Sequence, residues 1–374
     1  MLPAGPIVHP GRPPPRGYDR PHPFASVQRA AAEPRRSATS PMKSAPEHVP
    51  LIRTTRGGFA ECVHVGSIAV VDTQGQLVAG VGDAHGLNFT RSALKPLQAL
   101  AFVADGGMAH FGFDSQMLAL MCASHGGEAV HVRVVQRMLE RIGARESDLR
   151  CGCHAPSYYT HTSTCPPPGA RFSQLHHNCS GKHAGFLAYC RMHRQPMERY
   201  LELDSPLQQR VRANVERFAG SRELPMGIDG CSAPNYAMPL SSLAHAFCRL
   251  ALGETPELAA LGYAMRRHPD LVSGTHRSDL MLMTAGAGDW VSKVGADGVQ
   301  AIGVRSRGIG IAIRIADGNR RALHVATLAV LQQLGLVGDP AGTPLAPLDE
   351  GVIRSYRGVA VGTVEPTFSL PRLA

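Results

Sequence analysis

The sequence contains no run of about eighteen apolar residues, so none of it is expected to span a membrane. Its N-terminus lacks the compact apolar stretch of a secretory signal, and export by that route is not expected. The nine cysteines are odd in number and lack the dense spacing of a disulfide framework. Free or metal-bound thiols in a reducing, cytoplasmic compartment are expected instead. No basic stripe interleaved with aromatics is present, and no internal repeat. Six arginines against Asp19 and Glu33 place +4 of the +9 net charge in residues 1–41, leaving an unremarkable +5 for the rest. Nucleic acid is therefore not expected as a partner. What is present is a globular balance: 44% apolar and 18% charged residues exclude wholesale disorder. A length of 374 residues suits two or three domains, or one large α/β unit.

The first fifty residues stand apart, holding twelve of the 29 prolines with scattered arginines and few large apolar groups. Such a segment buries too little surface to offset its ordering entropy, so residues 1–48 are expected to form a disordered extension. Arginine enrichment resembles a transit peptide, but the prolines oppose the amphipathic helix such peptides form. Met42 precedes the first core-like stretch, and the expectation is that translation starts there or that the extension is disordered. A catalytic domain is expected over 49–366, with a tail at 367–374. The alternation and apolar run of Cys62–Val71, the turn Thr73–Gln76 and Leu77–Val81 predict two strands. Helical spacing follows at Ser92–Phe102, Met117–Cys122, Val130–Ile142, Ala184–Tyr200 and Pro206–Phe218. Residues 151–178 form a long loop, and Val299–Val304 with Ile309–Ile315 form a hairpin. Strands at both ends around a helical middle predict an α/β fold with one antiparallel sheet covered by helices.

Four stretches carry chemistry. In Arg91-Ser92-Ala93-Leu94-Lys95-Pro96, Ser92 suits the N-cap or first residue of a helix and Pro96 its opening turn. Residues three apart share a helix face, so the Lys95 amine can reach the Ser92 hydroxyl and, if neutral, take its proton. The same S-x-x-K is equally a capping serine beside a solvated lysine. Met121-Cys122-Ala123-Ser124-His125-Gly126-Gly127-Glu128 exposes Ser124 and His125 at a helix end, where active sites and ordinary polar caps both occur. His176-His177-Asn178-Cys179-Ser180-Gly181-Lys182-His183 echoes a phosphate loop, but His176 and His183 stand where that loop needs Gly and Ser/Thr, which rejects it. Cys179 could pair with Cys231 around Zn²⁺, or both could be small buried hydrophobes. Cys151, Cys153 and Cys165 lack the usual ligand spacing. Trp290–Gly298 places Lys293 on a strand before a turn, which resembles the K-T-G strand of penicillin-recognising enzymes, although their S-D-N element has no counterpart. The polar stretch Ser273–Asp279 is expected to be a loop over the site.

Taken in order, Arg91–Pro96, Cys122–Glu128, His177–His183, Asp229-Gly230-Cys231 and Lys293–Gly298 resemble the Rhizobium-type, thermolabile L-asparaginase family, over roughly residues 50 to 366. The resemblance implies an α/β/α arrangement around a mostly antiparallel sheet, similar to serine β-lactamases and glutaminases, and a homodimer. It implies two Ser–Lys pairs, Ser92 with Lys95 and Ser124 with Lys293, and zinc held by Cys179, Lys182 and Cys231. L-Asparagine is the implied substrate, with Arg91 and Asp229 expected on its α-carboxylate and α-ammonium, and His125 in the same pocket. The rival readings are a serine glutaminase, a β-lactam hydrolase on the same S-x-x-K, and a zinc-stabilised binding module.

Overall fold

The computed structural model describes residues 45–371. Most of the expected 1–48 extension lies outside the described residues. Eleven strands occur among them: β1 (Val49–Arg56), β2 (Phe59–Val71), β3 (Leu77–Val81), β4 (Leu87–Phe89), β5 (Met226–Ile228), β6 (Pro234–Pro239), β7 (Trp290–Gly295), β8 (Val299–Val304), β9 (Ile309–Ile315), β10 (Val352–Arg354) and β11 (Ala360–Pro366). Eight form one sheet in the order β10-β11-β1-β2-β9-β8-β7, with β3 also on β2, and every pairing in it is antiparallel. The remaining three form a small sheet, β4-β6-β5.

The second half of β2 is continuously apolar because both faces of the sheet are covered. Ala69 and Val71 join a core built with helices Lys95–Ala104, Ser115–Met121, Ser180–Met192 and Leu240–Leu252. Ile68 and Val70 point the other way, into a second core with Ile302, Ile311, Ile313 and the helix Arg320–Gln333. The fold is thus α/β/α around an antiparallel sheet, as expected. The first half of β2 is exposed from Phe59 to Val63 and at Val65, while His64 is buried and bonds Asp317 at 2.7 Å.

Several expected elements appear with shifted ends. Leu77–Val81 and the β8–β9 hairpin match residue for residue. Ser92 is not an N-cap. It lies inside a 3₁₀ turn, Arg91–Leu94, that feeds the α-helix at Lys95, with Pro96 tolerated in the opening turn. The helix expected at Ala184 begins at Ser180, with Cys179 as its N-cap residue. Ser273–Asp279 is only partly loop, since Ser278 opens a helix that runs to Ala285. No described helix is long and apolar enough to cross a membrane.

Candidate active site

Four segments converge where the helical layer meets one end of the large sheet. The 3₁₀ turn brings Ser92. The break after helix Ser115–Met121 brings Ser124, whose N–H is held by the Val272 carbonyl at 3.0 Å. The helix starting at Ser180 packs so closely on Ser115–Met121 that a Cβ at Gly181 would lie 2.3 Å from the Leu120 oxygen. Only glycine allows that approach, and it brings Cys179 and Lys182 beside Lys95. The end of β7 is equally tight, where a Cβ at Gly295 would meet the Thr90 oxygen at 2.7 Å.

A cavity of about 240 Å³ opens between these segments, lined by Ser92, Ser124, Asn178, Arg277, Asp297 and Arg320 among others. It is smaller than the roughly 300–1,000 Å³ common for drug-sized ligands, which suits an amino-acid-sized guest. A second, larger cavity of about 490 Å³ is walled by Tyr158, Tyr159 and Phe172, and neither Ser92 nor Ser124 lines it.

Three lysines are buried around the site: Lys95 is 1% exposed, Lys182 3% and Lys293 0%. An ammonium so placed needs partners, and these define the chemistry. Lys95 Nζ donates to the Ala123 carbonyl and, at 2.9 Å, to Ser124 Oγ. No Lys95–Ser92 hydrogen bond occurs among the described residues, although i+3 spacing suggested one. Ser92 is only part-buried, whereas Ser124 is 3% exposed. Burial pulls Lys95 below the ordinary lysine value, which favours a neutral amine.

Lys293 does not reach Ser124 either. Its Nζ donates to Asp279 Oδ2 at 3.2 Å and to the Val294 carbonyl at 2.8 Å. Burial presses it down to about 8 against the pull of Asp279. Burial also opposes the Asp279 charge. Lys293, the Val294 N–H, Ser292 and Gln300 outweigh it and hold that carboxyl below its usual range.

Cys179, Lys182 and Cys231, the set the resemblance implies, lie close together. Lys182 Nζ lies 2.9 Å from Cys231 Sγ. A hydrogen bond from Cys231 holds Cys179 well below the ordinary thiol value despite burial. Burial would lower Lys182, but the adjacent Cys231 and Cys179 raise it above its ordinary value. Two thiols and a primary amine at one point form a donor set that fits a soft, tetrahedral cation such as zinc once the amine gives up its proton. Among the described residues no three His, Cys, Asp or Glu side chains form such a group, so a metal here depends on Lys182. Cys153 and Cys165 are exposed, apart from this cluster.

Arg91 and Asp229 engage each other. Arg91 Nε and Nη2 both donate to Asp229 Oδ1, at 3.0 and 2.8 Å, and Arg91 Nη1 contacts Asp297. Arg91 has a left-handed backbone, φ +48°, held by the Asn235 side chain, which accepts from its N–H and donates to its carbonyl. A non-glycine residue in that region marks local strain of the kind found at functional sites. His125 departs from the expectation of substrate contact. It is fully buried and stacked on His131, its Nδ1 accepts from the Gly127 N–H, and its Nε2 donates to Ser180 Oγ. Asn178, Arg277 and Asp279 lie in stretches the sequence marked without giving them a role, and Arg320 was not marked. For Asp279 the signal was Ser278-Asp279 opening the apolar run Leu280–Met283, a helix start read as loop.

The family model of L-asparaginase II matches residues 52–366, which holds all the segments that build this site. The chain belongs to the L-asparaginase II family. No curated protein matches the sequence. Among solved structures, a crystal structure of Mglu in its native form in 4.3 M NaCl aligns at TM-score 0.35 and 16% identity, over 74% of this chain and 63% of that one. A second Mglu structure aligns at 0.34 and 17%, over 77% and 70%. The L-glutamate binding form of Mglu aligns at 0.34 and 15%, over 74% and 61%. The chain spans less than two thirds of the first of these structures.

Proposed function

We propose that this protein hydrolyses the side-chain amide of L-asparagine to L-aspartate and ammonia through a Ser–Lys activated acyl-enzyme. The observation that carries the reading is the buried Lys95 amine 2.9 Å from Ser124 Oγ, at a small cavity shared with Ser92, in a chain of the L-asparaginase II family.

Ser92 is the more accessible hydroxyl and is the attacking group. Its oxygen bonds to the side-chain carbonyl carbon while its proton passes by way of Ser124 to Lys95. The Ser92 N–H is a candidate donor to the oxyanion. Collapse breaks the C–N bond, Lys95 returns its proton to the leaving nitrogen, and ammonia departs. Water then cleaves the aspartyl ester with Lys95 again as base. Lys293, anchored by Asp279, keeps a positive charge near this relay.

Cys179, Lys182 and Cys231 are the residues that would hold zinc. When bound, the ion would supply a fixed positive charge that orients the substrate. All nine cysteines are free thiols, which supports a reducing, cytoplasmic setting. A homodimer is the proposed assembly, and the exposed Phe89, Met226 and Ile228 on the small sheet are apolar surface that a second copy would cover.

The test is ammonia release from L-asparagine and L-glutamine by protein purified with and without a chelator, beside hydrolysis of the β-lactam nitrocefin. Asparagine turnover supports the proposal. Turnover of glutamine alone moves the protein to the glutaminase reading, and nitrocefin cleavage without ammonia release overturns it. Unfolding on chelation with no turnover of any amide favours a zinc-stabilised binding module.

A further inference from the structure

The cavity holds a cation that its own chain leaves without a counter-charge. Arg277 lines it together with Ser92 and Ser124. Arg277 Nη1 donates to Ser157 Oγ and His161 Nε2, both at 3.0 Å, and both are neutral acceptors. Its Nε is buried without any hydrogen-bond partner. The nearby acids are committed elsewhere: Glu128 accepts from the Thr275 N–H and hydroxyl at 2.9 and 2.7 Å, and Asp279 accepts from Lys293, Ser292 and Val294. The Glu128 contacts also clamp the segment that carries Arg277. Asp297, the acid on the cavity wall, is held by Arg91. Arg91 is thus saturated by Asp229 and Asp297, so its fork is not open to an incoming anion. Arg320 adds a second positive charge to the same wall.

We propose that Arg277, rather than Arg91, receives the α-carboxylate of the substrate, so that the site selects amides of free α-amino acids over those whose α-carboxyl is blocked. This rests on the amide-hydrolase reading of the cavity. A guanidinium fork is matched to a carboxylate, and a site built around such a pair rejects an analogue that leaves the buried donors unpaired.

The experiment compares L-asparagine with L-asparagine methyl ester by ammonia release, in the wild type and in Arg277→Met and Arg277→Lys. In the wild type kcat/KM should favour L-asparagine by about 100-fold or more. Arg277→Met should lower kcat/KM for L-asparagine by about that factor, mainly through KM, and leave the ester within about twofold, so that discrimination collapses. Arg277→Lys, which keeps the charge, should recover part of it and controls for folding. Equal loss on both substrates, or retained discrimination in Arg277→Met, overturns the proposal. Calorimetric binding of L-aspartate provides an arm free of turnover. Binding that needs Arg277, in a protein releasing no ammonia, upholds the carboxylate site and sinks the hydrolase reading. L-Aspartate binding that is absent from the wild type, or undiminished in Arg277→Met, overturns the carboxylate site.

Discussion

Lys95 reaches across 29 positions of sequence to hydrogen-bond Ser124 at 2.9 Å, and does not bond Ser92, three residues before it. The 3₁₀ turn Arg91–Leu94 stacks residues three apart, and the Lys95 N–H bonds the Ser92 carbonyl, yet the Lys95 amine takes its partners elsewhere. The amine instead turns into the helical layer, where the end of the preceding helix supplies the Ala123 carbonyl and the Ser124 hydroxyl.

That arrangement gives the two serines separable roles. Ser92→Ala should abolish turnover, by on the order of 10⁴-fold or more, because no other part-exposed hydroxyl is placed to attack. Ser124→Ala should slow acylation by about 10² to 10⁴-fold, the range of a lost proton-transfer step. Steady-state ammonia release with single-turnover acylation checks both, and far-ultraviolet circular dichroism checks the fold. If Ser124→Ala is dead while Ser92→Ala still forms an acyl-enzyme, the roles are reversed.

The pH dependence follows from the burial of Lys95. The active form carries a neutral amine, so kcat/KM should rise with pH as the ammonium loses its proton. Burial lowers that pKa, so the rise should centre below the ordinary lysine value of about 10.4. Lys95→Arg keeps the charge but cannot deprotonate, and should be inactive across the range. A flat profile, or an active Lys95→Arg, would remove Lys95 as the base.

How much of this was legible in the sequence depended on whether the signal was local. The β8–β9 hairpin and Leu77–Val81 were legible because a turn bounded by apolar runs is a short-range pattern. Cys179, Lys182 and Cys231 could be gathered only through family resemblance, since more than fifty residues separate the thiols. The partner of Lys95 was not legible, because it is set by tertiary packing that brings the break after helix Ser115–Met121 against Lys95, 29 residues away in sequence. Asp279 was hidden for the opposite reason. A buried carboxylate within a polar stretch looks like a solvated one until the lysine facing it is seen.

Lys293 and Asp279 form an ion pair with both side chains fully buried. Removing one partner leaves an uncompensated charge, so Asp279→Ala should destabilise the protein by about 3–5 kcal/mol, measured by urea unfolding. The pair also predicts a sign. The folded-state value of Lys293, about 8, lies below its unfolded value near 10.5. Over that window the unfolded chain binds the extra proton, so this lysine's contribution to stability rises with pH. It is complete above the unfolded value and lost as pH falls through about 8. Unfolding free energies at pH 7.5 and 9.5 should show that rise in the wild type. It should be absent from Lys293→Met. A variant with the same pH slope as wild type would assign the effect to another group.

Cys179 tests the metal proposal separately from catalysis. Cys179 stands at the N-cap position of the helix Ser180–Met192 and, with Cys231 and Lys182, offers the donors that zinc accepts. Cys179→Ser replaces a thiolate by an alcohol that does not ionise near neutral pH, so stoichiometric zinc should fall to background by elemental analysis. Affinity for substrate should weaken while Ser92 and Lys95 remain in place. Cys151→Ser should leave the zinc content unchanged, because Cys151 donates to the Gly152 and Gln174 carbonyls and not into the cluster. Zinc retained by Cys179→Ser and lost from Cys151→Ser would move the metal to the loop cysteines.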